Sequence, residues 1–294
     1  MIVPDFLVIG AYKSGTTALH HQLRRHPDLY LPARKEPGFF AFDDSRPPVA
    51  HPAAASSVRR RRDYDALFAG APPGAVLGEV SPAYLAVPGT WAHIRAAAPT
   101  VRLVAVLRNP VERAYSDYLM YRRDGIEKEA SFLSALEQQD RRDPATDPTS
   151  RYLSTGLYAE QLEPYLSAFP RGQVHVLLHD DLRAQPAGTL RDLFGFLGVS
   201  TEVALEAVQD VNVSGEPTSA AVRLAFRARR RAGRLLKPVV PEPLKRRADS
   251  ILQRGLARPP LPTDARDLLL DAYRADVARL AAMLDRDLAA WGFG

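Results

Sequence analysis

The stretch DFLVIGAYKSGTTALHHQLRRHP, residues 5–27, decides how the chain must be read. An apolar run ending at Ile9 meets Gly10, then a short polar loop. A helical pattern follows from Thr16 and stops at His26-Pro27. Strand, glycine loop and helix in that order aim the free N–H groups of a first helical turn, and the positive end of its dipole, at one point. That point is an anion site. Gly10 and Gly15 keep the glycine spacing of an ATP-binding Walker A loop, which requires Lys and then Ser or Thr directly after the second glycine. Here Thr16 and Thr17 follow Gly15, and the lysine is Lys13, inside the loop. Gly15 lets the backbone approach an anion closely, Thr16 and Thr17 add hydroxyl donors, and Lys13 reaches over it from the other side.

Three further apolar runs, at 75–79, 101–107 and 174–178, have the unbroken hydrophobicity of buried parallel strands, like the run at 3–9. Helical patterns at 16–25, 111–123, 154–169 and 186–197 fall between or after them, and Gly198 closes the last. The alternation predicts an α/β fold, a P-loop-like doubly wound parallel β-sheet flanked by helices, with ligands at the C-terminal strand ends. Residues 44–57 are a proline-rich surface loop, and 223–247 is strongly basic with Glu242 as its only acid. A last amphipathic helix within 264–288 offers Leu269, Ala272, Tyr273, Leu280 and Leu284 as its apolar face.

The 101–107 strand runs into VAVLRNPVERAYSDYLMYRRDG, residues 104–125. It ends in Arg108, where a metal-dependent nucleotide enzyme would place an aspartate. Ser116 follows two turns into the next helix and can converge with Arg108 on one group if the chain turns at Asn109-Pro110. A guanidinium fork and a hydroxyl suit phosphate oxygens. The chain therefore predicts two anion sites and no metal.

Composition bounds the rest. At 294 residues, 46% hydrophobic and 25% charged, the chain reads as a globular protein, taken as one domain over 1–294 with 210–260 a basic, variable insertion near the cleft. Zero cysteines exclude disulfides and thiolate metal sites. No apolar run approaches the roughly 20 residues of a membrane span, and the N-terminal run is too short for a signal peptide. A cytoplasmic enzyme is the expectation. The net charge of +5 favours anionic ligands and is too mild to imply nucleic acid.

With both anion loops in one chain, the sequence resembles the sulfotransferases that use 3′-phosphoadenosine 5′-phosphosulfate (PAPS), closest to the heparan-sulfate type and its bacterial relatives. Lys13, Ser14, Gly15, Thr16 and Thr17 match that family's loop for the 5′-phosphosulfate; Arg108 and Ser116 match its 3′-phosphate segment. The likeness continues through RKEPGFFAFD, GEVSPAYL, STGLYAEQLEPYLSAFP and PAGTLRDLFGFLGV, roughly residues 3–200. It implies PAPS as sulfuryl donor, a hydroxyl or amine on a small molecule, glycan or glycolipid as acceptor, Lys13 stabilising the leaving phosphate, and Glu36 as general base. A surface ion pair is the plainer role for that acid.

Two departures stand out. Val80 occupies a place where heparan-type enzymes often have lysine, which argues against a polyanionic acceptor. The family's late Lys-Gly-Arg loop is not recognisable, and arginines of 223–247 are its candidate substitutes. His20 and His21 are the rival bases, since some sulfotransferases use histidine, although structural histidines are the simpler reading. Tyr84 and Tyr158 are pocket or core. Against sulfuryl transfer stand a P-loop kinase, for which the lysine after Gly15 and a strand-end aspartate are missing, and a non-catalytic binder of anions or of anionic membrane. For the latter, Leu224, Phe226, Leu235 and Leu236 interleave with arginines.

Overall fold

Five parallel strands, β1 (Phe6–Gly10), β2 (Leu29–Tyr30), β3 (Val76–Val80), β4 (Arg102–Leu107) and β5 (Val174–Leu178), form one sheet in the order β2-β3-β1-β4-β5. The computed structural model describes residues 2–45, 51–203, 215–235 and 255–293, with backbone alone at 227 and 229–235. Successive side chains of a strand leave opposite faces. Leu7, Ile9, Leu103, Ala105 and Leu107 therefore join one core, while Phe6, Val8, Val104 and Val106 join the other. Helices cover both faces, so every residue of β1 is buried and the strands read as unbroken apolar runs.

The strand order positions the site. The helix Thr16–Leu23 after β1 sends Leu19 and Leu23 into one core. The helix Pro110–Arg123 after β4 sends Val111, Ala114 and Leu119 into the other. Neighbouring strands whose helices leave on opposite faces open a crevice at their C-terminal ends.

Boundaries move where tertiary bonds compete. The strand expected at 3–9 is Phe6–Gly10, and the helix expected at 16–25 ends at Leu23. There the chain turns so that the His26 ring meets the Ser200 carbonyl at 2.8 Å. The helix expected over 154–169 is a 3-10 turn, Ser154–Gly156, followed by the helix Tyr158–Ala168. Its N-terminus is capped from afar: the buried Asp276 carboxylate accepts from the N–H groups of Ala159 at 3.0 Å and Glu160 at 3.1 Å. The edge strand β2 is only two residues long, too short for any periodic signal.

Leu269, Tyr273, Leu280 and Leu284 face inward from the C-terminal helix Thr263–Leu284, joined by Ala265 and Val277. Ala272, expected on that face, is exposed because it falls beyond the stripe's edge. Of the proline-rich loop, residues 46–50 lie outside the described residues; the remainder contains a 3-10 turn, Pro52–Ser56. The basic stretch begins within the helix Ala220–Leu235, and its part from 236 to 247, with Leu236 and Glu242, also lies outside the described residues. Glu216–Pro217 and Leu256–Ala257 pair as an antiparallel ribbon that returns the chain to the cleft.

Candidate active site

Gly15 adopts φ +87° as the N-cap of Thr16–Leu23, and no side chain caps that end. The first-turn N–H groups, with no acid among them, are thus left to a cleft of about 370 Å³ at the C-terminal edge of the sheet. Glycine is required at 15: φ is positive, and a Cβ would press on the His179 ring at 3.1 Å. Lys13, itself at φ +62°, borders this cleft together with Gly15, Thr16 and Thr17. Ser14 does not: it is fully buried, with its hydroxyl 3.5 Å from the Tyr12 carbonyl.

The second corner meets the first. Arg108 donates to the Lys13 carbonyl at 3.3 Å and to the Glu112 carboxylate at 3.2 Å, and Ser116 borders the same cleft one helical stretch later. Asn109 turns the chain: its side-chain oxygen accepts from the Val111 N–H at 3.0 Å, and Pro110 starts the helix. Arg258 approaches from the ribbon and also binds Glu112, so one carboxylate holds two guanidinium groups over the cleft.

Six cations border the cleft, Lys13, Lys35, Arg108, Arg123, Arg183 and Arg258, against the acids Glu36 and Asp117. Asp117 is already engaged by the buried Arg113 at 2.7 Å. The field is therefore net positive where the helix N-terminus points. Burial pushes the Lys13 pKa down to about 8; Asp117 opposes this, while Arg123 and Arg108 reinforce it. Burial, then the neighbouring Arg258, also lowers the Arg108 pKa. Cations made less comfortable by burial and by one another are stabilised by an anion placed among them.

Glu36 lines the cleft from another side, with Lys35 and Pro82. Its side chain is 45% exposed and pairs with the Lys35 ammonium. Glu36 is therefore not buried with Phe39 and Phe40. Glu36 at φ +59° and Gly38 at φ +66° reverse the chain twice, so both phenylalanines turn into the core and the acid stays at the surface. Lys35 and Glu36 also border an outer hollow with Arg34 and Ser56, so the acid stands where cleft and hollow adjoin.

His20 and His21 are not among the residues bordering this cleft. The buried His20 bonds the Pro32 carbonyl at 3.1 Å, and burial pushes its pKa down to about 4. Tyr84 and Tyr158 are fully buried core residues. Among the described residues, no three His, Asp or Glu side chains group as a metal-ligand set. No described helix is long and apolar enough to cross a membrane.

Sequence reasoning missed His179, Arg183 and Arg258. His179 immediately follows β5, at the strand end where such folds bind ligands, and that position was its signal. Arg258 lies within the basic 210–260 segment expected near the cleft, but beyond the arginine-rich 223–247, and no local pattern distinguished it from the other arginines there.

An α/β sheet whose crevice gathers a free helix N-terminus and six cations defines a protein for multiply charged anionic ligands of nucleotide size. Residues 4–203 match the sulfotransferase family, and the chain belongs to it. It is 35% identical over 199 residues to heparan sulfate glucosamine 3-O-sulfotransferase 3B1 of Mus musculus, covering 67% of this chain and 46% of that one. To carbohydrate sulfotransferase 15 of Homo sapiens it is 26% identical over 346 residues, 98% of this chain and 54% of the relative. The chain spans about half the length of these curated relatives. A solved sulfotransferase from Alicyclobacillus acidocaldarius superposes with a TM-score of 0.75 at 29% identity, covering 99% of both chains.

Proposed function

We propose that this protein moves a sulfuryl group from PAPS to a hydroxyl or amine of a small-molecule, glycan or glycolipid acceptor. The observation that carries the reading is the convergence of two anion corners, joined by the Arg108 to Lys13 bond, on a cleft that an acid also borders. Family membership supports it independently. The donor fits the residues present: the N–H groups of Gly15, Thr16 and Thr17 suit its 5′-phosphosulfate, with Lys13 above them, and Ser14 contributes backbone alone. Arg108 and Ser116 suit its 3′-phosphate, with Arg258 in place of the unrecognised late loop. Arg258, which falls within the span 210–260 expected near the cleft, borders it.

When bound, PAPS supplies the sulfuryl group. The Glu36 carboxylate accepts the acceptor's proton as the acceptor oxygen or nitrogen bonds to sulfur. The Lys13 ammonium offsets the negative charge gathering on the phosphate oxygen whose bond to sulfur breaks. Positioning and charge stabilisation dominate, as in phosphoryl transfer. The outer hollow beside Glu36 supports acceptor entry from that side.

Calorimetry in EDTA tests the donor site. The protein should bind 3′,5′-diphosphoadenosine (PAP) much more tightly than ATP; ATP binding that is as tight and needs Mg²⁺ would sink the reading. Labelled PAPS with a metabolite extract then identifies the acceptor. Anionic membrane contact through 223–247 is a separate proposal, supported by Leu224, 68% exposed on the arginine-rich helix. Sedimentation with and without anionic liposomes tests it.

A further inference from the structure

A carboxylic acid used in none of these steps lies beneath the loop that carries Glu36. Glu79, on β3, is 1% exposed and accepts a hydrogen bond from the equally buried Tyr84 hydroxyl. The Tyr84 oxygen in turn accepts from the Phe40 N–H at 3.3 Å. Two bonds extend the contact: the Glu36 N–H donates to the Val80 carbonyl at 2.9 Å, and the Gly38 N–H to the Ser81 hydroxyl at 3.0 Å. Alternate amides of one loop therefore dock on successive groups of the segment EVSPAY.

The loop needs such anchors. Glu36 adopts φ +59° directly before Pro37, a combination that the β-carbon and the proline ring both oppose. A backbone of this kind persists where its surroundings over-determine it. The Tyr84 hydroxyl has a single proton, and giving it to Glu79 leaves its lone pairs to face Phe40. An apolar residue at 79 would release that hydroxyl to rotate. Burial pushes the Glu79 pKa up to about 8, against the bond from Tyr84, so an acid is kept here at a cost that simple packing would avoid.

We propose that Glu79 is a positioning residue for Glu36, acting through Tyr84 to hold the left-handed turn that delivers the Glu36 carboxylate to the cleft. The proposal rests on Glu36 as the base, and its decisive test is independent of activity. Hydrogen exchange is followed by mass spectrometry in the full chain and in Tyr84→Phe, Glu79→Leu and Glu79→Gln. In the first two variants, peptides spanning 34–42 should exchange about tenfold faster, while peptides of the Lys13 loop and β4 stay within about twofold. Glu79→Gln should restore protection, because its amide oxygen still accepts from Tyr84. Unchanged exchange at 34–42, or an equal rise throughout the sheet, would overturn the proposal; the second outcome would make Glu79 an ordinary core residue.

Tyr84→Phe is the mildest variant and keeps the test decisive if Glu79→Leu does not fold. PAP affinity is measured in parallel. Failure of wild type to bind PAP would defeat the sulfuryl-transfer reading, whereas normal PAP binding with unchanged loop exchange would defeat this one alone. Turnover of labelled PAPS with the extract gives the functional counterpart. Tyr84→Phe should lower kcat with little change in the KM for PAPS, and should cause no further loss in a Glu36→Gln background.

Discussion

The loops of Lys13 and Glu36 border one cleft, and each holds a non-glycine residue at positive φ, +62° and +59°. Each such residue costs about 1–2 kcal/mol. They are stabilised differently. The Lys13 loop lies between a buried strand and the helix that follows at once, with Gly15 as hinge, so most of its geometry is local. The Glu36 loop has no such frame: its amides bond to Val80, Ser81 and Tyr84, and its Pro37 carbonyl accepts from the Val58 N–H at 2.7 Å. One corner is made by adjacent elements and the other by segments about twenty to forty-five residues further along the chain. The first should tolerate change at a distance, and the second should not.

The largest expected effect separates the two corners by chemistry. Glu36→Gln preserves shape and removes proton acceptance, so single-turnover rates should drop about 10²- to 10⁴-fold while PAP affinity is kept. His20→Ala and His21→Ala, if folded, should lose little. Near-normal chemistry in Glu36→Gln would break the comparison, since the Glu36 rim would then be merely structural.

Lys13→Ala comes next and differs in kind, lowering both PAP affinity and turnover because the ammonium serves the bound and the departing phosphate. Its pH dependence sharpens the test. Burial brings the Lys13 pKa to about 8, and PAP needs the charged form, so affinity should be full below that pH and fall as pH rises through it. Titration calorimetry from pH 6.5 to 9.5 would show the inflection, and Lys13→Arg should remove it.

Arg108→Ala should reduce discrimination between PAP and its 3′-hydroxy analogue by about tenfold or more, the loss of a charge-assisted contact at about 1.5–3 kcal/mol. Ser116→Ala should act in the same direction but less, through a neutral hydroxyl. Variants that still distinguish the two nucleotides as wild type does would move the 3′-phosphate site elsewhere. The smallest effect belongs to Arg258→Ala, a loss of about threefold to tenfold in PAP affinity, because Arg258 is a partly exposed guanidinium that shares Glu112 with Arg108. No change there would confine the donor site to the two local corners.

Legibility in the sequence follows the same division. The Arg108 corner could be read because strand, turn and helix are contiguous and Asn109-Pro110 mark the turn with known chemistry. The burial of Phe39 and Phe40 did not carry Glu36 with it, since the two left-handed residues that separate them leave no periodic trace. Ser14 matched the loop motif, yet its side chain points away from the cleft, a distinction that only side-chain packing makes.

What the amino-acid order determined by itself was the alternation of buried strands and helices, the glycine turn between β1 and the helix that follows it, and the arginine that follows β4. Each depends on neighbouring residues, whose propensities and spacing act over a few ångströms. Tertiary structure alone decided that Glu112 ties Arg108 to Arg258, that Asp276 caps a helix more than a hundred residues away, and that Tyr84 and Glu79 support the loop of Glu36. The Arg258–Glu112, Asp276–Ala159 and Tyr84–Phe40 bonds join segments far apart in the chain, and no local pattern records which distant partner a buried polar group will find.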